Sequence, residues 1–371
     1  MDYILSVILA FGFSAVFTAL VIPKIILLAF KKKLFDEVDE RKVHTGIVPR
    51  LGGVAFVPAI VLSLAFMAGN HSLIVDLTAV NFNFDPRLAL ILCAFALLYF
   101  EGITDDVVGI GYKAKFVCQF ACAAMVVGSG ICLNDFHGLL GLHEVPMWFS
   151  YPFSVLLIVF IINAINLIDG IDGLSSGLSI IATFFMGYFF MLKEDYLFAI
   201  LSFATLGTLA SFFIYNVFGK AEHKNKIFMG DCGSQCIGLL LAMLGIRLSM
   251  GALPAEGVVA FPHSIVIAFS VLMIPCLDVI RVMGGRMMRH KNPFLPDKTH
   301  IHHLFLELGF GHKSAMASIL IIDTFFVVLN LLLIQDVDVN VILLLDLAVW
   351  ACMMLWLNKL VERRVAILKT V

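Results

Sequence analysis

Of the 371 residues, 61% are hydrophobic and only 14% are charged, against about 25% charged in ordinary soluble domains. A water-soluble fold cannot bury that much apolar surface, and a mean hydropathy of +1.01 equally excludes a disordered chain. With 25 Lys and Arg against 27 Asp and Glu, the net charge of −2 lacks the basic excess that nucleic-acid binding draws on, which leaves an integral membrane protein.

A spanning helix takes roughly 20 apolar residues. Such runs recur eleven times, over 3–30, 51–68, 87–104, 114–133, 152–168, 174–192, 196–215, 234–250, 264–280, 314–334 and 339–357. The pattern predicts one all-α transmembrane domain over 1–371, a polytopic bundle of about eleven helices with no internal repeat. The first run is too long for the apolar core of a signal peptide, has no basic residue before it and is followed by Lys31, Lys32 and Lys33. It is therefore expected to stay as a helix.

Of the 25 Lys and Arg, all but Lys24, Arg87, Lys193 and Arg247 fall in loops on one side of this arrangement or in the C-terminal tail. Because cytoplasmic loops carry the Lys/Arg excess, that side is expected to be cytoplasmic, with the N-terminus outside and the C-terminus inside. Eight Cys with no C-x-x-C pair read as small buried hydrophobes rather than a disulfide framework or a zinc site.

Five segments on the cytoplasmic side hold the unusual polar residues. The first, from Arg41 to Gly53 with His44 and Arg50, has cations and glycines suited to phosphate oxygens, although positive-inside charge explains it as well. The second is Thr104-Asp105-Asp106 followed by Lys113 and Lys115. Two adjacent carboxylates at a membrane boundary repel each other unless a cation or proton joins them, and helix capping is the bland alternative. The third, N-A-I-N-L-I-D-G-I-D-G-L over 163–174, sets Asn163, Asn166, Asp169 and Asp172 three residues apart. At a helix end this keeps four polar side chains near one face, more than capping needs. The fourth, F-M-G-D-C-G-S over 228–234, places Asp231 between glycines just before an apolar run, as a cap or as a metal ligand beside backbone amides. The fifth holds His300, His302 and His303 downstream of Arg281, Arg286 and Arg289. No fourth soft ligand is spaced for zinc, and imidazoles beside Arg and Lys suit a diphosphate.

In this order on one side of eleven spans, these segments resemble the glycosyltransferase 4 superfamily of polyprenyl-phosphate N-acetylhexosamine-1-phosphate transferases. Within it they look most like the bacterial undecaprenyl-phosphate GlcNAc-1-phosphate transferases (WecA type). The resemblance runs from the His44 loop to the His300 cluster. The ten-span muramoyl-pentapeptide branch has both termini outside, a different histidine pattern and a shorter spacing than that between Asn216 and Asp231 here.

The resemblance implies transfer of N-acetylhexosamine-1-phosphate, with GlcNAc-1-phosphate the first choice, from a UDP-sugar to undecaprenyl phosphate in the bacterial inner membrane, releasing UMP. It implies Mg2+, or Mn2+ in its place, on Asn166 and Asp231. It assigns Asp105, Asp106, Asp169 and His302 to catalysis, and Lys115, Asp172, Asn216, Phe228, Arg286, His300 and His303 to the substrates. The expected partners are the UDP-sugar, the lipid phosphate and membrane lipid, with a homodimer left open and no nucleic acid. A nucleotide-sugar or lipid-carrier transporter shares the many spans and stays open as the alternative, although its site belongs near the bilayer midplane.

Overall fold

The structure, a computed structural model, describes residues 2–34, 48–69, 86–250, 264–290 and 299–370. Within them the chain is helical: α1 (Asp2–Lys32), α2 (Phe56–Gly69), α3 (Pro86–Val108), α4 (Tyr112–Gly128), α5 (Met147–Ile168), α6 (Leu174–Leu192), α7 (Tyr196–Phe213), α8 (Gly230–Ser249), α9 (Ser264–Ser270), α10 (Met273–Met288), α11 (Ile301–Glu307), α12 (His312–Leu333) and α13 (Val339–Thr370).

Among the described residues, nine helices are long and apolar enough to cross a membrane, and α9 with α10 forms a tenth span bent by 65°. Pro275 explains the bend. It cannot donate to the carbonyl of Val271, and its ring crowds that carbonyl, so the helix breaks over Val271 and Leu272 and restarts at Met273. The remaining expected run, 114–133, is helical for only 17 residues, about 26 Å at 1.5 Å per residue, a little short of a hydrocarbon core. The chain leaves the helix at Gly128 and turns at Gly130, whose φ is +94°. The outward surfaces fit lipid: Leu20, Leu332 and Leu344 are all more than 60% exposed, an arrangement water does not tolerate over a whole protein.

The middle of the bundle is α8, almost wholly buried against α3, α5, α6 and α9. Small residues permit that crowding. A Cβ on Gly238 would sit 2.7 Å from the Ile162 Cα, and one on Gly102 of α3 would collide with the backbone of Cys232. Deep between α9, α12 and α13, Asn330 donates to Ser270 Oγ and to Asp346, each at 2.7 Å, which satisfies polar groups that lipid could not. All eight cysteines are free thiols.

The C-terminal ends of α3, α5, α7 and α10 and the N-terminal ends of α4, α6, α8, α11 and α12 lie together at one end of the bundle. That end carries the described parts of the polar segments singled out from sequence. At the other end the carbonyls closing α8 are held by side chains, Leu248 O by Lys193 at 2.6 Å and Ser249 O by His137 at 2.7 Å. Lys193 is buried there, and loss of water pushes its ammonium down to about 8.

Candidate active site

The site is assembled on the first turn of α8. Gly230 enters it with φ +75°, a conformation glycine adopts without strain. A Cβ at that position would stand 2.6 Å from an oxygen of Asp106. Asp106, near the end of α3, accepts hydrogen bonds from the backbone N–H groups of Asp231 at 2.7 Å and Cys232 at 3.0 Å. It thus satisfies two of the amides that a helix start leaves open.

Its neighbour Asp105 accepts from the N–H of Ile110 at 2.7 Å and forms an ion pair with Lys115 of α4. The Lys115 ammonium also lies 3.7 Å from Asp231 Oδ1. From α5, Asn166 donates to that same oxygen at 2.7 Å and to Ser234 Oγ at 2.8 Å. Asp231 therefore stands where α3, α4, α5 and α8 meet.

Beside it opens a cleft of about 610 Å³. Of the residues expected from sequence, Asn166, Asp169, Asp172, Asn216, Phe228, Asp231 and His303 line it. Asp169 sits just past the end of α5. Burial raises its carboxyl to about 7, with the Asp231 and Asp172 carboxylates adding to the rise and Arg50 opposing it. Asp172 pairs with Lys226 at 2.6 Å, and the same ammonium lies 5.8 Å from the centre of the Phe228 ring. Asn216 spends both ends of its amide on the backbone, accepting from Gly173 N at 2.6 Å and donating to Ile227 O at 2.9 Å. It thereby clamps the start of α6 to the strand of chain entering α8.

The histidines divide. His303 faces the cleft with Leu306, Glu307 and His312. His300 instead lies 2.8 Å through Nδ1 from buried Asp278, which also accepts from Ile301 N at 3.0 Å and Arg281 at 2.7 Å. His302, expected at the reacting centre, is buried behind the loop of Gly170. A Cβ on Gly170 would collide with its ring, and the His300 ring stacks parallel to it at 5.9 Å. Loss of water first, then the nearby His303 and His300, push His302 down to about 3, so the ring is neutral at working pH. Arg286 is buried near the end of α10 and is not among the residues lining the cleft.

The spacing also sets Asn163 near the same helix face as Asn166. Asn163 turns inward instead, donating to Gln119 at 2.7 Å. Asp278, which anchors the His loop, and Glu307 are not singled out in the sequence reading, and Lys226 and His312, in or beside the cleft, lie in its basic and histidine segments without an assigned role. A lone acid in an apolar run was the visible signal for Asp278; nothing local marked Glu307. Arg50 does line the cleft, whereas Arg41, Lys42, His44, Lys291 and Lys298 lie outside the described residues.

Among the described residues no three His, Cys, Asp or Glu side chains converge to hold a metal. Asn166 and Asp231 offer two hard oxygen donors on the cleft wall. That set fits Mg2+, which keeps waters and takes one or two protein ligands beside phosphate oxygens.

Residues 88–249 match the model of glycosyl transferase family 4. The chain is 30% identical over 329 residues to a probable undecaprenyl-phosphate N-acetylglucosaminyl 1-phosphate transferase of Bacillus subtilis, covering 88% of this chain and 84% of that protein. The chain belongs to glycosyl transferase family 4. It is also similar to the undecaprenyl-phosphate alpha-N-acetylglucosaminyl 1-phosphate transferases of Yersinia pestis, at 29% identity, and Escherichia coli K12, at 28%; each match covers 78% of this chain and 74% of the relative. The family 4 segment runs from the first turn of α3 through α8 and holds every residue placed around Asp231. The His loop of this transferase lies beyond the segment and meets it through His302 and Gly170.

Proposed function

We propose that this chain transfers GlcNAc-1-phosphate from UDP-GlcNAc to undecaprenyl phosphate in the bacterial inner membrane, giving undecaprenyl-diphospho-GlcNAc and UMP. The observation that carries the proposal is Asp231, shared by Asn166 and Lys115 at the mouth of a polar cleft at one end of a membrane bundle. Such a place suits two phosphate substrates, one of which stays anchored in lipid. The names of the relatives supply the acceptor and the sugar phosphate. The loop charges support a cytoplasmic site with the N-terminus outside and the C-terminus inside.

In the reaction an oxygen of the lipid phosphate bonds to the β-phosphorus of the donor. The bond from that phosphorus to the bridging oxygen breaks, and the electron pair leaves with UMP. The second pKa of a phosphate monoester is about 6, so the acceptor is a dianion at neutral pH and needs no base. Asp105, engaged by Lys115 and Ile110, fits a holding role better than proton removal. Lys115 supplies the cation that screens the meeting of two anions. Asp172, Lys226 and Phe228 form a base-and-ribose wall of one acid, one cation and one ring face, with Asn216 keeping that wall in place. His303 is a donor for the sugar-phosphate end. Asn166 and Asp231 would hold Mg2+, which when bound neutralises the diphosphate and the charge on the leaving UMP.

The experiment is to supply purified protein in nanodiscs with undecaprenyl phosphate, Mg2+ and a panel of UDP-sugars and to follow UMP. Release that requires lipid phosphate and Mg2+ together, with UDP-GlcNAc best, is expected. Lipid-independent uptake of UDP-sugar into vesicles without UMP would overturn the reading.

A further inference from the structure

Beneath the residues around Asp231 lies a second polar layer on the same four helices. Glu101 is one turn inward from Asp105 on α3, Gln119 one turn from Lys115 on α4, Asn163 one turn from Asn166 on α5, and Gln235 one turn from Asp231 on α8. Each step is three or four residues, the spacing at which helical side chains stack on one face. Gln119, Gln235 and Glu101 are 3%, 1% and 6% exposed, so this layer is floor and not cleft wall.

The layer is a directed chain. Asn163 Nδ2 donates to the carbonyl of Val159 at 2.8 Å, which fixes which end of its amide is the donor. It therefore donates to Gln119 Oε1 at 2.7 Å, and Gln119 Nε2 donates in turn to Gln235 Oε1 at 2.9 Å. Gln235 Nε2 and both oxygens of neighbouring Glu101 are buried without a hydrogen bond of full geometry, and the Gln235 side chain is the hydrogen-bond partner that faces the Glu101 carboxylate. Unmet groups of this kind are costly in a bundle interior. The charged neighbours of Glu101 are Asp105, Lys115 and Asp231, the trio directly above it.

We infer that Glu101 is a positioning residue of the transfer site, the terminal acceptor of the Asn163–Gln119–Gln235 chain and the counter-charge beneath Lys115. Its carboxylate takes the last amide donor, ties α3 to α8, and keeps the Lys115 ammonium between Asp105 and Asp231. The close approach of α3 to α8 at Gly102 and Cys232 brings the last two members of the chain, Gln235 and Glu101, together.

The inference rests on the proposed transferase reading for its kinetic arm and is independent of it in its thermal arm. Glu101→Leu, which removes acceptor and charge, should lower kcat about tenfold with the donor KM within about twofold of the parent, a loss made in the transition state. Glu101→Gln keeps the acceptor and should retain at least about a third of kcat. In the thermal arm, the melting shifts of Glu101→Leu and Lys115→Met should be non-additive in the double variant, because coupled neighbours share a partner. Parental kcat in Glu101→Leu, an equal loss in Glu101→Gln, or additive melting shifts would each overturn the inference. If the parent releases no UMP, the transferase reading fails and the melting cycle still decides the role of Glu101.

Discussion

Asp106 holds Asp231 by its backbone: a carboxylate at the end of α3 accepts the N–H of a residue 125 positions later, at 2.7 Å. The sequence reading offered Asp106 either to a cation or to the cap of the following helix. It caps a helix, but α8 rather than α4. The first turn of α8 is thereby fixed from α3, and Asp231 is aimed by a neighbour it does not touch side chain to side chain. Asp106→Ala should therefore cost about 1–2 kcal/mol, as for other lost N-caps, and should also lower UMP release strongly. Asp106→Asn, which keeps one acceptor, should fall between. Melting in detergent together with turnover checks this, and a normal rate in a destabilised Asp106→Ala would remove the positioning role.

Asp231→Asn removes the charge while keeping the shape. Turnover is expected to fall by at least about 100-fold, the scale of a lost electrostatic contact in the transition state, with folded yield little changed. Residual activity should need more Mg2+. An unaltered Mg2+ titration in this variant would take Asp231 out of the metal site.

His302 and Gly170 form a size-matched pair. Gly170→Ala drives a methyl into the His302 ring and is expected to depress activity by about tenfold or more through displacement of the Asp169 and Asp172 loop, in line with the cost of overpacking. Gly170→Ala with His302→Ala should recover part of that loss. Because His302 is held neutral at about 3, the pH–rate profile of His302→Gln should keep the parental shape between pH 5 and 8. A shifted limb would give His302 a titrating role.

Asp169 links stability to pH. Its carboxyl is raised to about 7 by burial, then by Asp231 and Asp172. Between the ordinary aspartate value and about 7 the folded chain holds a proton that the unfolded chain has released. Stability contributed by this group therefore falls as pH rises through that window. Without divalent cation, the parent should melt lower at pH 8 than at pH 5.5, and Asp169→Asn should show a smaller difference. An equal pH dependence in parent and variant would assign the effect elsewhere.

Hydropathy along the chain determined the membrane class and nearly every helix, because lipid demands long apolar stretches and each is legible locally. The run 114–133 ended early at glycines whose positive-φ turn no hydropathy count registers, and the run 264–280 broke before Pro275. Motif residues gathered at helix ends were legible too, since a polar residue at the edge of an apolar run has few other places to be. Pairing was not. Whether Asp106 would meet metal, solvent or a backbone amide depended on α3 and α8 touching through Gly102 and Cys232. Whether His302 would face substrate or Gly170 depended on how the loop before α11 folded over the end of α5. Asn163 looked like one of four polar side chains sharing a face, yet the packing of α5 against α4 gave it to Gln119. Those choices belong to the packing of helix against helix, where side chains distant in the chain compete for the same few ångströms, and only the tertiary structure decided them.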